Sequence, residues 1–139
     1  MSSRSAALAF VATLVAFIAL DMAWLNLVAV KMFQDQIGRL LRPEPIFPAA
    51  AVFYLIYASA LTALAVAPAV QERSMAGAIW RGALLGLAAY ATFNLTNFAI
   101  LKGWSLDASL KDMTWGTVGS ALATVVGYWA GARGGPAAR

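Results

Sequence analysis

The chain has 139 residues, of which 62% are hydrophobic and 12% charged, and this balance predicts an integral membrane protein whose main solvent is the lipid bilayer. Its formal net charge of +4 comes from basic residues scattered singly between apolar stretches, so nucleic acid is excluded as a partner because no basic stripe can follow a phosphate backbone. Cys and His are absent, which excludes disulfides, haem ligation, most zinc sites and the usual nucleophile pairs, and we expect neither a metal nor a cofactor.

Four apolar stretches are long enough to cross a hydrocarbon core of about 30 Å. They cover approximately residues 5–30, 46–70, 75–101 and 112–132. The links between the later stretches are short, and short links favour antiparallel neighbours. The sequence therefore predicts an all-α membrane protein, in which residues 1–139 form a single domain with four transmembrane helices in an up-down-up-down bundle.

Residues 31–44, between the first two spans, are amphipathic at helical spacing. Lys31, Asp35 and Arg39 lie four residues apart on one face, and apolar side chains occupy another. This pattern predicts a short interfacial helix along the membrane surface. Pro43 and the prolines that follow end the segment and begin the second span.

The topology puts both chain ends on one side of the membrane. The two sides carry equal numbers of Lys and Arg, so the positive-inside rule does not separate them, and acidic residues on the opposite side tilt the choice only slightly. We expect a multi-pass protein of the bacterial inner membrane with both termini in the cytoplasm.

Glycines at four-residue spacing occur in the last two spans, at Gly82 and Gly86 and at Gly127 and Gly131. Such pairs let helix backbones approach closely in lipid. We favour packing within the chain over a dedicated dimer interface, and a homodimer or another membrane protein stays open as a partner.

Polar residues gather in one leaflet of the predicted bundle. Asp21 lies beyond the middle of the first span, and Asn94 and Asn97 lie at the same depth in the third, which runs in the same direction. The second and fourth spans begin on that side and add further polar and aromatic residues. The predicted ligand-binding residues are Asp21, Trp24, Tyr54, Tyr90, Asn94, Asn97, Lys102, Asp112 and Trp115.

An aspartate inside a membrane helix costs about 2.5 to 3.5 kcal/mol at mid-membrane on insertion scales. Asp21 should therefore face the bundle interior, with Asn97, Asn94 and Lys102 as the expected partners. The alternative is that Asp21 and the asparagines only hold helices together through hydrogen bonds.

Several motifs together resemble a known family. They are D-M-A-W-L (21–25), I-G-R-L-L (37–41), F-Y-L-I-Y (53–57), A-V-A-P-A (65–69), A-Y-A-T-F-N-L-T-N-F-A-I-L-K-G-W (89–104) and D-M-T-W-G (112–116). The chain resembles the bacterial membrane family called domain of unknown function 2177. The resemblance implies four membrane helices but no activity, substrate or cofactor. In the family pattern an aspartate commonly occupies the position of Asn94, so the site of this chain is less acidic.

Three functions fit these residues. The favoured one is the binding or translocation of a small amphipathic, lipid-like or cationic ligand in the one-sided polar pocket. The first alternative is a structural or accessory subunit of a membrane complex. The second is a membrane enzyme of lipid modification, with Asp21 or Asp112 as general acid or base, although no catalytic set is recognisable.

Overall fold

The computed structural model describes residues 1–134. Six α-helices follow one another along this part of the chain, and the first and third each continue into the next through a short π-helical segment. In chain order they are α1 (Ser3–Trp24), α2 (Val30–Ile37), α3 (Phe47–Leu61), α4 (Ala67–Glu72), α5 (Met75–Ile100) and α6 (Leu106–Arg133).

These helices form four long rods that pack antiparallel. Three are long and apolar enough to cross a membrane, namely Ser3–Leu40, Phe47–Glu72 and Met75–Ile100. The fourth, α6, has 28 residues, about 42 Å at 1.5 Å per residue, and it packs against all three other rods. The predicted all-α membrane bundle of four long helices is confirmed, and three of the four are candidate membrane spans.

The low hydropathy of α6 follows from its central position. Its small and polar residues are buried against the neighbouring helices, among them Ser109, Gly116, Ser120, Thr124 and Gly127. Thr124 Oγ1, for example, donates a hydrogen bond of 3.0 Å to the backbone oxygen of Ala78 in α5. The other three rods screen this face of α6 from lipid, whereas its outer face exposes apolar side chains such as Leu110, Val118 and Leu122.

The glycine pairs predicted from the sequence do pack within the chain. A Cβ added at Gly86 of α5 would overlap the backbone oxygen of Gly116, and one added at Gly127 of α6 would overlap the Thr13 hydroxyl of α1. Close backbone approach of this kind is how small residues hold membrane helices together.

The segment predicted to be a separate interfacial helix is helical but continuous with the first span. No break occurs near Lys31, because a π-helical segment, Leu25–Ala29, carries the helical hydrogen bonding from α1 into α2. The Val30 N–H donates to the Leu25 oxygen, five residues back. The helix ends in a single 3-10 turn, Gly38–Leu40. Its position along the membrane surface stays a prediction.

A second π-helical segment, Thr62–Val66, joins α3 to α4. Pro68 follows it after one residue, Ala67. Inside a regular α-helix a proline removes one hydrogen bond and clashes with the carbonyl four residues earlier, and a wider π turn just before the proline relieves that crowding. The rod Phe47–Glu72 therefore stays continuous although it contains a proline.

The fourth helix begins earlier than predicted, at Leu106 rather than near Asp112. The Ser105 side chain accepts a hydrogen bond of 3.1 Å from the Ala108 N–H, which caps the helix start. Asp107 and Lys111, which lie before the predicted span 112–132, pair across the first turn of the helix at 2.7 Å. The link after α5 is consequently only residues 101–105.

The helices pack more tightly at one end of the bundle than at the other. At the end that holds the N-terminus, the Ser5 hydroxyl donates to the Gly131 oxygen at 2.5 Å, and Arg81 forms a two-pronged ion pair with Glu72 at 2.8 and 2.9 Å. At the opposite end α3 packs against α1 but makes little contact with α5. A cleft therefore opens between α3 and α5.

Candidate functional site

The same short motif, aspartate followed three residues later by tryptophan, occurs in α1 and in α6, and the structure brings the two copies together. Trp24 Nε1 donates to Asp112 Oδ1 at 3.2 Å. Trp115 Nε1 donates to Asp21 Oδ1 at 3.3 Å. In each motif the carboxylate and the indole share one face of their helix, and because α1 and α6 are antiparallel, each aspartate meets the tryptophan of the other helix.

The two indole rings also stack on each other. Their centroids are 5.4 Å apart and their planes differ by 7°. The stack holds each ring in position for its N–H bond and contributes about 0.5 to 1.5 kcal/mol beyond area burial. The four side chains thus form one unit, which we call the crossed Asp–Trp pair: Asp21, Trp24, Asp112 and Trp115.

The remaining two helices each supply one more donor to this unit. The Tyr54 hydroxyl, from α3, donates to Asp21 Oδ2 at 2.5 Å. Asn94 Nδ2, from α5, donates to Asp112 Oδ2 at 2.6 Å. Both aspartates are buried, with 6% and 5% exposure. Every donor to them is neutral, and within residues 1–134 neither carboxylate forms an ion pair with Lys or Arg.

The crossed Asp–Trp pair borders a cavity of about 300 Å³. Both carboxylates line it, and most of the remaining wall is aromatic. The aromatic lining residues are Trp24, Phe33, Phe53, Tyr57, Tyr90 and Phe93. Because Phe53 of α3 is 44% exposed and Phe93 of α5 is 50% exposed, the cavity reaches the outer surface of the bundle between these two helices.

The π-helical segment after Trp24 aligns the wall that the first rod contributes. Asp21, Leu25, Ala29 and Phe33 all line the cavity at steps of four residues. In a regular α-helix each such step turns the position by about 40°, so three steps would carry Phe33 away from the cavity. The wider π turn reduces this drift. Phe33 also contacts Trp104, with ring centroids 5.7 Å apart.

Residues 6–129 match the family described as predicted membrane protein (DUF2177). The chain belongs to the DUF2177 family. No curated protein and no solved structure matches it. The resemblance seen in the sequence motifs is therefore confirmed, and this DUF2177 chain is a predicted membrane protein whose activity the family description leaves open.

The structure brings together seven of the nine predicted site residues of the DUF2177 chain. Four line the cavity and three bond to or stack against them: Asp21, Trp24, Tyr90 and Asp112, then Tyr54, Asn94 and Trp115. Asn97 is only half-buried and Lys102 is exposed in the turn after α5. Neither lines the cavity.

The expected partners of Asp21 were wrong, although its inward orientation is confirmed. Its carboxylate is bonded by Tyr54 and Trp115, not by Asn94, Asn97 or Lys102. Asn94 instead bonds the other aspartate, and Asn97, three residues further along α5, turns away from the cavity. The positions of these groups along their helices put them at one depth in the membrane. The rotation of each helix about its own axis decides which of them meet.

Several aromatic residues of the cavity wall were not predicted as ligand-binding. Tyr57, whose hydroxyl lies 2.7 Å from Ser120 Oγ, sits one turn after Phe53 on the same face of α3. Phe33, Phe53 and Phe93 are the others. The four-residue spacing of Phe53 and Tyr57, and of Ala29 and Phe33, places each pair on one helix face. This spacing alone does not predict whether that face lines a cavity or contacts lipid.

We expect Asn94→Leu to lower the free energy of unfolding by about 1 to 3 kcal/mol. Asn94 is fully buried, and the leucine would leave Asp112 Oδ2 without its donor, a loss that outweighs the removal of the Asn94 Oδ1 atom, which has no partner within residues 1–134. Unfolding in mixed detergent micelles measures the change. Asn97→Leu is the matched control and should shift stability by no more than about 0.5 kcal/mol. Equal losses in both variants would contradict this site.

Proposed function

We propose that this protein binds an amphipathic organic cation in the cleft between α3 and α5. The observation that carries the proposal is the pair of buried carboxylates, Asp21 and Asp112, which line an aromatic cavity and receive hydrogen bonds from neutral donors only. A cation with an apolar body fits both properties of the wall.

The charge of the cavity favours a positive occupant. Tyrosine, tryptophan and asparagine donors stabilise a carboxylate but do not neutralise it, and a negative charge in a low-dielectric surrounding is costly unless it is paired. A cation in the cavity would supply that missing charge. Protonation of either carboxylate would also lower this cost. The experiment must therefore test whether the cavity prefers a cation to a neutral molecule of the same shape.

The aromatic wall favours an organic cation over a metal ion. Calcium and magnesium require six or more oxygen ligands or ordered waters, whereas this cavity offers two carboxylates whose four oxygens already accept hydrogen bonds. Aromatic faces attract substituted ammonium groups through cation–π interactions, worth about 2 kcal/mol or more when desolvated. Tyr57, Tyr90 and Trp24 present such rings in the cavity.

The position of the opening favours access from the membrane. Phe53 lies six residues inside the start of α3, and Phe93 lies seven residues before the end of α5, which is about 10 Å along each helix. An apolar or amphipathic molecule dissolved in the outer part of the bilayer would reach the cleft without crossing water.

Binding is favoured over translocation by the opposite half of the bundle. There Gly82 lies against Thr124 and Gly127 against Thr13 without space for a Cβ, and the Arg81–Glu72 pair joins the two rods at their ends. A path through this half would require the helices to separate.

A pair of matched probes tests the proposal. Benzyltrimethylammonium and neopentylbenzene have nearly the same shape and differ in charge. We expect saturable binding of the cation to the protein in lipid nanodiscs, measured by equilibrium dialysis against empty nanodiscs, and no saturable binding of the neutral compound. Saturable binding of both probes with equal affinity would remove the role of the carboxylates, and saturable binding of neither would favour the accessory-subunit interpretation.

A further inference from the structure

A second concave surface, separate from the cleft, lies on the outside of the bundle where α2 passes the start of α6. Two adjoining cavities of about 400 and 470 Å³ share Asp107 and Lys111. We call this continuous depression the outer groove. Its upper part is charged, with Lys31 and Asp35 on α2 facing Asp107 and Lys111 on α6, and its lower part is lined mainly by apolar side chains, including Leu110, Trp115 and Val118.

The charges of the outer groove are layered. Along α2, which leads away from the membrane interior, Lys31 comes before Asp35, and along α6, which leads back, Asp107 comes before Lys111. On both walls the lysine therefore lies one helical turn, about 6 Å, deeper than the aspartate. The lysine side chains therefore start in a layer next to the apolar part and the aspartates in a layer above it, and the ammonium groups reach up to the carboxylates at 3.2 and 2.7 Å.

We infer that the outer groove binds a zwitterionic phospholipid that carries a primary ammonium group. In such a lipid the phosphate lies next to the acyl chains and the ammonium lies beyond it. The phosphate matches the layer of Lys31 and Lys111, and the ammonium N–H groups match the carboxylates of Asp35 and Asp107. An acyl chain would follow Leu110, Thr114 and Val118 toward the membrane interior.

The groove can accept these groups without a change of fold. The ion pairs Lys31–Asp35 and Lys111–Asp107 measure 3.2 and 2.7 Å and are more than half exposed, so their ends can turn toward a lipid at little cost. The groove itself is fixed, because the Ser105 N–H donates to Gln36 Oε1 at 2.7 Å and holds the end of α2 against the start of α6.

Native mass spectrometry from micelles that contain equal amounts of phosphatidylethanolamine and phosphatidylglycerol tests this inference. We expect a roughly two- to fivefold enrichment of bound phosphatidylethanolamine on the wild-type protein, the range that a few exposed ion pairs provide. In the Asp35→Asn/Asp107→Asn variant the preference should move to phosphatidylglycerol, because the lysines then face only the anionic phosphate. In Lys31→Gln/Lys111→Gln the total amount of bound phospholipid should fall while the preference for phosphatidylethanolamine persists, because the remaining carboxylates still pair with its ammonium and repel the anionic lipid.

The matched control is Arg39→Gln/Lys102→Gln, which removes two exposed basic residues at the same end of the bundle but outside the groove. This variant should keep the wild-type enrichment. The inference is overturned if the wild-type protein shows no preference for phosphatidylethanolamine, or if the control loses the preference as fully as Asp35→Asn/Asp107→Asn does.

Discussion

Replacing Asp21 by asparagine is expected to lower the affinity for benzyltrimethylammonium at least about tenfold, equivalent to about 1.4 kcal/mol. The substitution removes one negative charge from the cavity wall and keeps the size of the side chain. It also keeps the local hydrogen bonds, since the asparagine oxygen can accept from the Trp115 indole while its amide donates to the Tyr54 hydroxyl, which can reverse its direction. Equilibrium dialysis in nanodiscs measures the affinity.

Glu44→Gln is the control for this experiment. It makes the same change of charge at an exposed position between the first two rods, outside the cleft. Its affinity for the cation should equal that of the wild type. If Asp21→Asn folds and still binds the cation with wild-type affinity, the carboxylate acts only to hold helices together and the binding hypothesis loses its basis.

Gly86→Ala is expected to destabilise the protein strongly although it adds only one methyl group. The new methyl group would overlap the backbone oxygen of Gly116 and the Ser120 hydroxyl. Backbone cannot move aside without separating α5 from α6, so we expect a loss of about 1 to 3 kcal/mol in the free energy of unfolding, the usual range for overpacking. Unfolding in mixed micelles measures it.

Gly38→Ala is the matched control, because a Cβ at Gly38 would meet nothing within 4 Å. It adds the same methyl group near the end of the first rod. The free energy of unfolding should stay within about 0.5 kcal/mol of the wild-type value. A Gly86→Ala protein as stable as this control would mean that α5 and α6 do not pack as closely as described.

The fold and the depth of the site could be predicted from the sequence. Hydrophobic length predicted the four long helices, and alternating helix direction put Asp21, Asn94 and Asp112 into the same half of the bundle. Both inferences depend on bilayer thickness and on the rise of a helix, which are the same for every sequence.

The pairing of the polar groups could not be predicted in the same way. Asn94 and Asn97 share a depth with both aspartates, and only the rotation of α5 decides that Asn94 faces Asp112 while Asn97 turns away. The D-x-x-W motifs at 21–24 and 112–115 were visible in the sequence, but their reciprocal pairing required α1 and α6 to be adjacent. Up-down-up-down topology permits that contact without requiring it.

The π-helical segments explain the remaining difference between prediction and structure. The segment before Pro68 has a local cause in the proline ring. Leu25–Ala29 contains neither proline nor glycine, and nothing in the sequence separates it from a regular α-helix. Because the sequence does not predict this π-helical segment, it predicts a separate helix after Val30. For the same reason it does not predict that Phe33 lines the cavity.

Photolabelling with 4-azidobenzyltrimethylammonium tests most directly whether the cleft is a cation site. The protein is labelled in nanodiscs, and the modified residues are identified by peptide mass spectrometry. We predict adducts on Phe53, Tyr57, Tyr90 or Phe93 that excess benzyltrimethylammonium suppresses. Adducts that resist competition, or that occur only on exposed aromatic residues toward the opposite end of the bundle, such as Trp80 and Trp129, would contradict the proposed site.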